Sequence, residues 1–376
     1  MTDWVANIKI EGDRIIWGVV FFLLIFSLLI VYSTSGWNIL FGHIIKLGIG
    51  VSAMYLVHKI KFKYFSKLGQ LAYFLSLGLL VLVFIIGVSV NGASRWLSIA
   101  GLQFQPSDIA KLAILLYLAR QLSKQRDFLH RLPDLIWHII SPLVLICALV
   151  LPNNFSTSAL IFLNGIVVMF IAHVRLKLIF SVIISAFILA MSIYFTAKYT
   201  SVFSDLLPRS ATWVSRIDSF FDGSQNDMTH KDFQQVQALV AIQNGDITGV
   251  GPGKSIQKGI LPYSSSDFIY AIIIEEYGVI GGVSVILAYL ILLFRAIRIS
   301  FKTESLFASL VAVGLIFSLV SQAIVNILVS VEVLPVTGQT LPLISMGGTS
   351  IVFSCIAIGI VLSISRDSTD REYEKV

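Results

Sequence analysis

Apolar residues fill this chain in runs of about twenty, and the polar positions gather between them. Ten runs can be marked out, at 15–34, 39–57, 70–90, 107–121, 135–151, 156–173, 178–197, 268–294, 305–330 and 340–364. A run of this length crosses the hydrocarbon core of a bilayer as an α-helix. In lipid a lone segment can satisfy its backbone polar groups only by being helical. The short alternating segments of a membrane β-barrel are absent from the sequence. The pattern therefore predicts an all-α integral membrane protein with ten transmembrane helices, one polytopic domain over residues 1–376. Only one polar stretch is long, residues 198–267 between helices seven and eight. In it, 198–232 reads as irregular, while Phe233, Val236, Leu239 and Val240 share a helical stripe. That stripe predicts a helix over 233–244, lying in the membrane interface or packed on the bundle. The charged tail, 365–376, reads as disordered.

Composition agrees with the pattern. The chain is 56% hydrophobic and 13% charged, against about 25% charged in a soluble domain, and its mean hydropathy is +0.88. A net charge of +6 taken alone would suggest nucleic acid. The placement of the charges says otherwise. If the loops are assigned alternately to two sides, eighteen Lys and Arg fall on the side of the N-terminus, and Arg95 alone falls in the short loops opposite. This bias predicts cytoplasmic termini and an extracytoplasmic long loop, and excludes nucleic acid as a partner. Cys147 and Cys355 lie inside apolar runs and read as small packing residues.

Candidate chemistry collects at the end of the long loop. Gly249, Gly251 and Gly253 lead through Lys254, Ser255, Gln257 and Lys258 to Ser266 and Asp267, where the chain turns apolar again. Lys254-Ser255 after a glycine suggests a phosphate loop, but the first glycine of that motif would fall at Thr248 and no strand precedes it. Asp267 admits two readings, a reactive acid or a helix cap. A second cluster is Arg95-Trp96 with Gln105, Pro106, Ser107 and Asp108, Pro106 marking a helix start. Lys111 follows inside an apolar run. It either snorkels outward, paired with Asp108 three residues earlier, or forms an anion site facing a lipid-filled groove. Glu275 and Glu276 sit inside run eight, Glu276 about 13 Å beyond Asp267 at helical rise.

These motifs, in this order, resemble those of the SEDS family, which contains the FtsW and RodA peptidoglycan polymerases. The resemblance extends over almost the whole chain. It rests on Arg95-Trp96, on Gln105-Pro106-Ser107-Asp108 with Lys111, and on Gly249-x-Gly251-x-Gly253-x-Ser255-x-Gln257-Lys258. It rests also on Leu261-Pro262, Asp267-Phe268, Glu275-Glu276-x-Gly278, and the stretch from Thr337-Gly338 to Gly347-Gly348-Thr349-Ser350. Four positions depart from the usual wording: Ser265-Ser266 stands for His-Thr, Met346 for Tyr, and Asn154 for Asp. The Thr340–Ser345 wording is closer to FtsW than to RodA.

The resemblance implies a peptidoglycan glycosyltransferase that polymerises lipid II at the outer face of the bacterial cytoplasmic membrane, in division or elongation. It implies as partner a class B penicillin-binding protein, with other divisome or elongasome membrane proteins. Under it Asp267 is the general base, and Arg95 and Lys111 hold the diphosphate, with Arg216 and Lys258 as further cations. Gln105, Ser107, Ser255 and Gln257 offer hydrogen bonds to sugar or phosphate, and Asp108 and Glu276 support. No cofactor is required by the sequence, though magnesium or manganese could bridge Asp267 and the diphosphate. Two other functions stay open at this point. One is a lipid II flippase, which ten spans with intramembrane charge would suit. The other is a scaffold that recruits a penicillin-binding protein.

Overall fold

A computed structural model describes residues 11–90, 93–99, 102–124, 132–199, 209–222 and 230–374. The described residues are overwhelmingly helical. Seven helices are long and apolar enough to cross a membrane. The first, α1 (Arg14–Lys59), has 46 residues and contains two of the predicted runs. It bends at Gly36 (φ +70°). Ser27 Oγ lies 2.8 Å from His43 Nε2, whereas sixteen residues of straight helix would separate them by about 24 Å. The two arms therefore run back along each other. Asp13 caps α1, accepting from Ile15 N at 2.9 Å and Ile16 N at 3.1 Å, and pairs with Arg295.

Next come α2 (Lys63–Ile86), a three-stranded antiparallel sheet of β1 (Val88–Val90), β2 (Ala93–Ile99) and β3 (Leu102–Phe104), and α3 (Pro106–Lys124), which begins at its predicted proline. The sheet takes the last residues of predicted run three. A short helix α4 (Leu132–Leu135) passes through a π-helical turn into α5 (Ser141–Val150), followed by α6 (Phe155–Ile171). Helix α7 (Leu176–Tyr199) stands almost clear of the others, with Ile179 alone buried. In the long loop, α8 (Ser210–Asp222) corrects the expectation of irregular chain. Trp213, Ile217 and Phe220 recur at helical spacing, and Trp213 packs on Phe155.

The predicted helix over 233–244 is present as α9 (His230–Gly245), packed on the bundle. Its buried face is not the predicted stripe. Val236 is exposed and Leu239 and Val240 are half-buried, while Ala238 and Ala241 are fully buried. Small residues let backbones approach closely, which drives helix contact in lipid more than apolar area does.

Two predicted runs are corrected. Run eight is not one helix. Within α10 (Ile269–Lys302), Gly278 has φ +69° and ψ −173°, outside helical space. The Tyr270 hydroxyl would touch a Cβ at Gly282, at 2.9 Å, so Ile269–Tyr277 folds back on the part after Gly278. Glu276 lies just before the break, on the same helical stretch as Ile269. The loop before α10 closes the break. Val250 N and Gly251 N donate to the carbonyls of Glu275 and Glu276 at 2.9 and 3.0 Å, and Val279 N donates to Asp246 O at 2.9 Å. A broken helix is tolerated in a membrane where such partners satisfy its freed backbone groups.

Run ten also starts late. After α11 (Leu306–Ser330) the chain is non-helical until α12 (Ser350–Glu374). The intervening segment turns into the bundle. The Ile344 carbonyl accepts from Ser27 Oγ at 2.7 Å, and Ser27 lies nine residues, about 13 Å of helix, before the Gly36 bend. The Pro342 carbonyl accepts from Tyr289 Oη. Residues 340–345 read as helix because they are apolar, but Pro342 and the glycines at 338, 347 and 348 break the run. Of the tail predicted as disordered, residues 365–374 continue α12, whose Arg366 donates to His58 O at 2.7 Å and whose Asp367 accepts from Phe62 N at 3.1 Å, and the last two lie outside the described residues.

Candidate functional site

Asp267 stands at the junction of the long loop, α10 and the re-entrant segment after α11. It does not cap α10: the cap position is Phe268, with no side-chain hydrogen bond. Its backbone is held from outside its own element. Asn326 Nδ2 donates to Asp267 O and to Gln339 O, both at 2.7 Å. Ser345 Oγ donates to Ser266 O at 2.6 Å, and Met346 N to Ser265 O at 2.9 Å. Gly338 comes so close that a Cβ there would sit 3.7 Å from Asp267 Oδ2. Burial raises the Asp267 pKa above the ordinary aspartate value, against the opposing pull of the Ser266 hydroxyl and the Arg216 charge.

Arg216, on α8, is the cation whose field reaches Asp267. Its guanidinium donates to Val336 O at 2.9 Å, which ties α8 to the re-entrant segment. Burial lowers its pKa, most strongly of the causes acting on it, yet arginine stays charged. Three buried atoms in this neighbourhood have no hydrogen-bond partner: Arg216 Nε, Asn326 Oδ1 and Thr337 Oγ1. Together they leave hydrogen-bonding capacity for a polar ligand beside the carboxylate.

Lys111 does not snorkel. Its ammonium lies 3.1 Å from Asp108 Oδ1 and donates to Gln322 Oε1 at 3.0 Å. Gln322 Nε2 in turn donates to Thr340 O at 2.9 Å. Gln322 and Asn326 are four residues apart on α11, hence on one face, so Lys111 and Asp267 contact the same stripe one turn apart. Sequence reasoning passed over both amides. Two buried amides at i and i+4 inside an apolar span were the available signal.

Arg95 goes elsewhere. Successive strand residues face opposite ways. Trp96 lies against Gly348 of the re-entrant segment, and Arg95 lines a separate cleft with Gln105, Ser107 and Asn154. Gln105 Nε2 donates to Ser107 Oγ at 2.7 Å. The glycine-rich stretch forms a third group. Glu275 is buried and accepts from Ser255 Oγ, from Ile256 N at 3.3 Å and from Gln257 N. Ser255 and Gln257 thus brace the broken helix. Lys258 Nζ donates to Gly253 O at 2.7 Å. Glu276 accepts from Ser33 Oγ, and no ion pair involves it among the described residues. The sequence-predicted site residues therefore fall into three groups, with Asp267, Arg216 and Lys111 around the re-entrant segment.

Comparison with known proteins places this geometry in context. The family described as cell cycle protein, FtsW/RodA/SpoVE, matches residues 13–370. Stage V sporulation protein E of Bacillus subtilis is 31% identical over 378 residues, covering 96% of this chain and 98% of the relative. A probable peptidoglycan glycosyltransferase FtsW of Haemophilus influenzae is 35% identical, over 77% of this chain and 71% of its own. Among solved structures, a chain from a peptidoglycan synthase complex, described as coordinating polymerization and crosslinking, superposes with a TM-score of 0.76 at 25% identity, covering 95% of this chain and 98% of that one. The rod shape determining protein RodA of Thermus thermophilus superposes with a TM-score of 0.67 at 23% identity, over 95% of this chain and 97% of its own.

Proposed function

We infer the function from one premise: this multi-pass membrane chain belongs to the FtsW, RodA and SpoVE family of cell-cycle proteins. It is a peptidoglycan glycosyltransferase. Its substrate on this reading is lipid II, used at the outer face of the cytoplasmic membrane with both termini inside. The observation that carries the mechanism is Asp267, a carboxylate raised in pKa by burial, in a stretch, Ser265–Asp267, whose three carbonyls accept from Met346, Ser345 and Asn326 beside unpartnered polar atoms. A sugar hydroxyl attacks the anomeric carbon of the donor. Its proton passes to Asp267, the new glycosidic C–O bond forms, and the bond to the diphosphate breaks, its electron pair leaving with undecaprenyl diphosphate. A base matched to this task needs a pKa above that of a free aspartate. Lys111 and Arg216 supply positive potential near that centre.

The glycan must also be cross-linked. A class B penicillin-binding protein is the partner this reading calls for, and the coupling of polymerization and crosslinking in the structurally similar complex supports it. Purified protein given lipid II is expected to produce a ladder of glycan chains on a gel, more of it with the partner present. Transfer of lipid II across a vesicle bilayer with no glycan formed would replace the polymerase by a flippase. Orientation has its own test. In a background lacking Cys147 and Cys355, a Lys254→Cys protein should react with an impermeant thiol reagent added to intact cells, and a Lys124→Cys protein should not. The reverse labelling would invert the topology.

A further inference from the structure

The tip of the re-entrant segment is held under strain. Leu343 is buried and has φ +66°, left-handed space that disfavours a leucine. Such strain persists only where the surroundings over-determine the backbone. Here they do so on both sides of the residue. The Pro342 carbonyl, just before Leu343, accepts from Tyr289 Oη. The Ile344 carbonyl, just after it, accepts from Ser27 Oγ at 2.7 Å. Tyr289 belongs to α10 and Ser27 to α1, so two separate helices close on one residue.

Ser27 is itself aimed. A serine hydroxyl has one proton, and the Ile344 carbonyl, which can only accept, takes it. His43 Nε2, 2.8 Å from Ser27 Oγ, is then the donor of the second bond, with its ring in the Nε2–H tautomer. That leaves His43 Nδ1 as a buried acceptor with no partner. An unsatisfied buried nitrogen destabilises the fold, and an apolar side chain would fill the space without it. What the ring contributes is therefore the bond to Ser27.

The clamped tip reaches the reaction centre in one step. Ser345 Oγ, two residues after Leu343, accepts from Leu341 N at 2.8 Å and donates to Ser266 O at 2.6 Å, next to Asp267. A turn that relaxed at Leu343 would move Ser345, and with it the backbone that carries the carboxylate. A misplacement of about 1 Å at a reaction centre can cost on the order of 10²-fold in rate.

We propose that Ser27, aimed by His43, and Tyr289 are positioning residues for Asp267, acting through the clamped turn at Leu343. This rests on the polymerase reading. The full chain in phosphatidylcholine nanodiscs is assayed for glycan synthesis over a range of lipid II concentrations. Ser27→Ala and Tyr289→Phe each remove one hydroxyl and little volume. Each should lower kcat by about ten- to a hundredfold and leave KM unchanged, because a displaced base is felt in the transition state and not in substrate binding. His43→Leu should lower kcat in the wild-type background but cost nothing further beside Ser27→Ala, since its effect passes through that hydroxyl. His43→Gln, which keeps an N–H donor, should restore part of the loss. Amide hydrogen exchange in the peptide spanning 341–346 should quicken in the two hydroxyl variants, whatever their activity. Normal kcat in both hydroxyl variants overturns the proposal. So does a loss expressed in KM alone, or a His43→Leu cost that is equal in the two backgrounds, which would make the ring a packing residue. If Ser27→Ala fails to fold, Tyr289→Phe decides from the other side of the clamp. The polymerase reading fails separately, if wild-type protein makes no glycan from lipid II, and exchange then still reports whether the two hydroxyls hold the turn.

Discussion

Replacing Asp267 by asparagine is expected to lower glycan synthesis by about 10²–10⁴-fold, the usual contribution of a positioned base, while making the folded protein more stable at neutral pH. The size and backbone bonds are kept, since Asn326 donates to the Asp267 carbonyl and not to its side chain. The stability gain follows from the direction of the pKa. Burial holds the Asp267 carboxyl above its ordinary value, so the folded state favours the protonated form. That contribution is fully present below the unfolded pKa and is lost as the pH rises through the folded one. As the pH rises through the folded value the wild type must take on a charge that folding disfavours, and asparagine removes that cost. The same shift shapes the rate profile. A base works ionised, so activity should fall as the pH drops through a value above the free aspartate range. Glycan yield against pH, with thermal unfolding of both proteins, tests the three statements together. An Asp267→Asn protein that polymerises at the wild-type rate would remove Asp267 from the mechanism.

The second large effect lies at the helix break. Gly278→Ala is expected to reduce the yield of folded protein severely. Gly278 occupies backbone space that is essentially restricted to glycine, worth about 1–3 kcal/mol of strain for another residue. A Cβ there would also lie 2.1 Å from Ile247 O and 2.6 Å from Gly249 N. Overpacking of this kind adds about 1–3 kcal/mol, and here the obstacle is backbone, which cannot step aside. Gly36 provides an internal control, because its φ and ψ are nearly the same (+70°, −175°) and nothing lies within 4 Å of its Cβ position. Gly36→Ala should therefore show the strain without the clash. Folded yield by size-exclusion chromatography and melting temperature would rank the pair. Equal effects would mean that the glycine-rich loop does not lock the break.

The spans were legible because lipid imposes one simple rule, and helix-length apolar runs obey it. The candidate site was legible in part. Asp267 marked itself by position, as the acid at the edge of an apolar run, and the Asp108–Lys111 pair by spacing. The rest failed for physical reasons. Residues 340–345 are apolar because they are buried, and hydropathy cannot tell a buried strap from a spanning helix. Gly278 looked like one more small residue in a helix, since its positive φ is a tertiary fact. Gln322 and Asn326 were lost in a run whose average stayed apolar. Arg95 and Lys111 looked like one anion site because both are external cations, but Arg95 lines a cleft of its own while Lys111 is bonded to Asp108 and Gln322.

The strap over Asp267 has a consequence for how this protein loses activity. Residues 331–349 lie outside helix and sheet. Their middle is anchored in the core by Leu341, Leu343 and Ile344, but the flanks, 331–340 and 346–349, are mostly half-buried, the first of them held by side-chain bonds from Arg216, Gln322 and Asn326. Flanks tied this way open at lower free energy than the helices around them. Warming should therefore release the strap first and silence the enzyme while its helical content is intact, so that its working range ends well below its melting point.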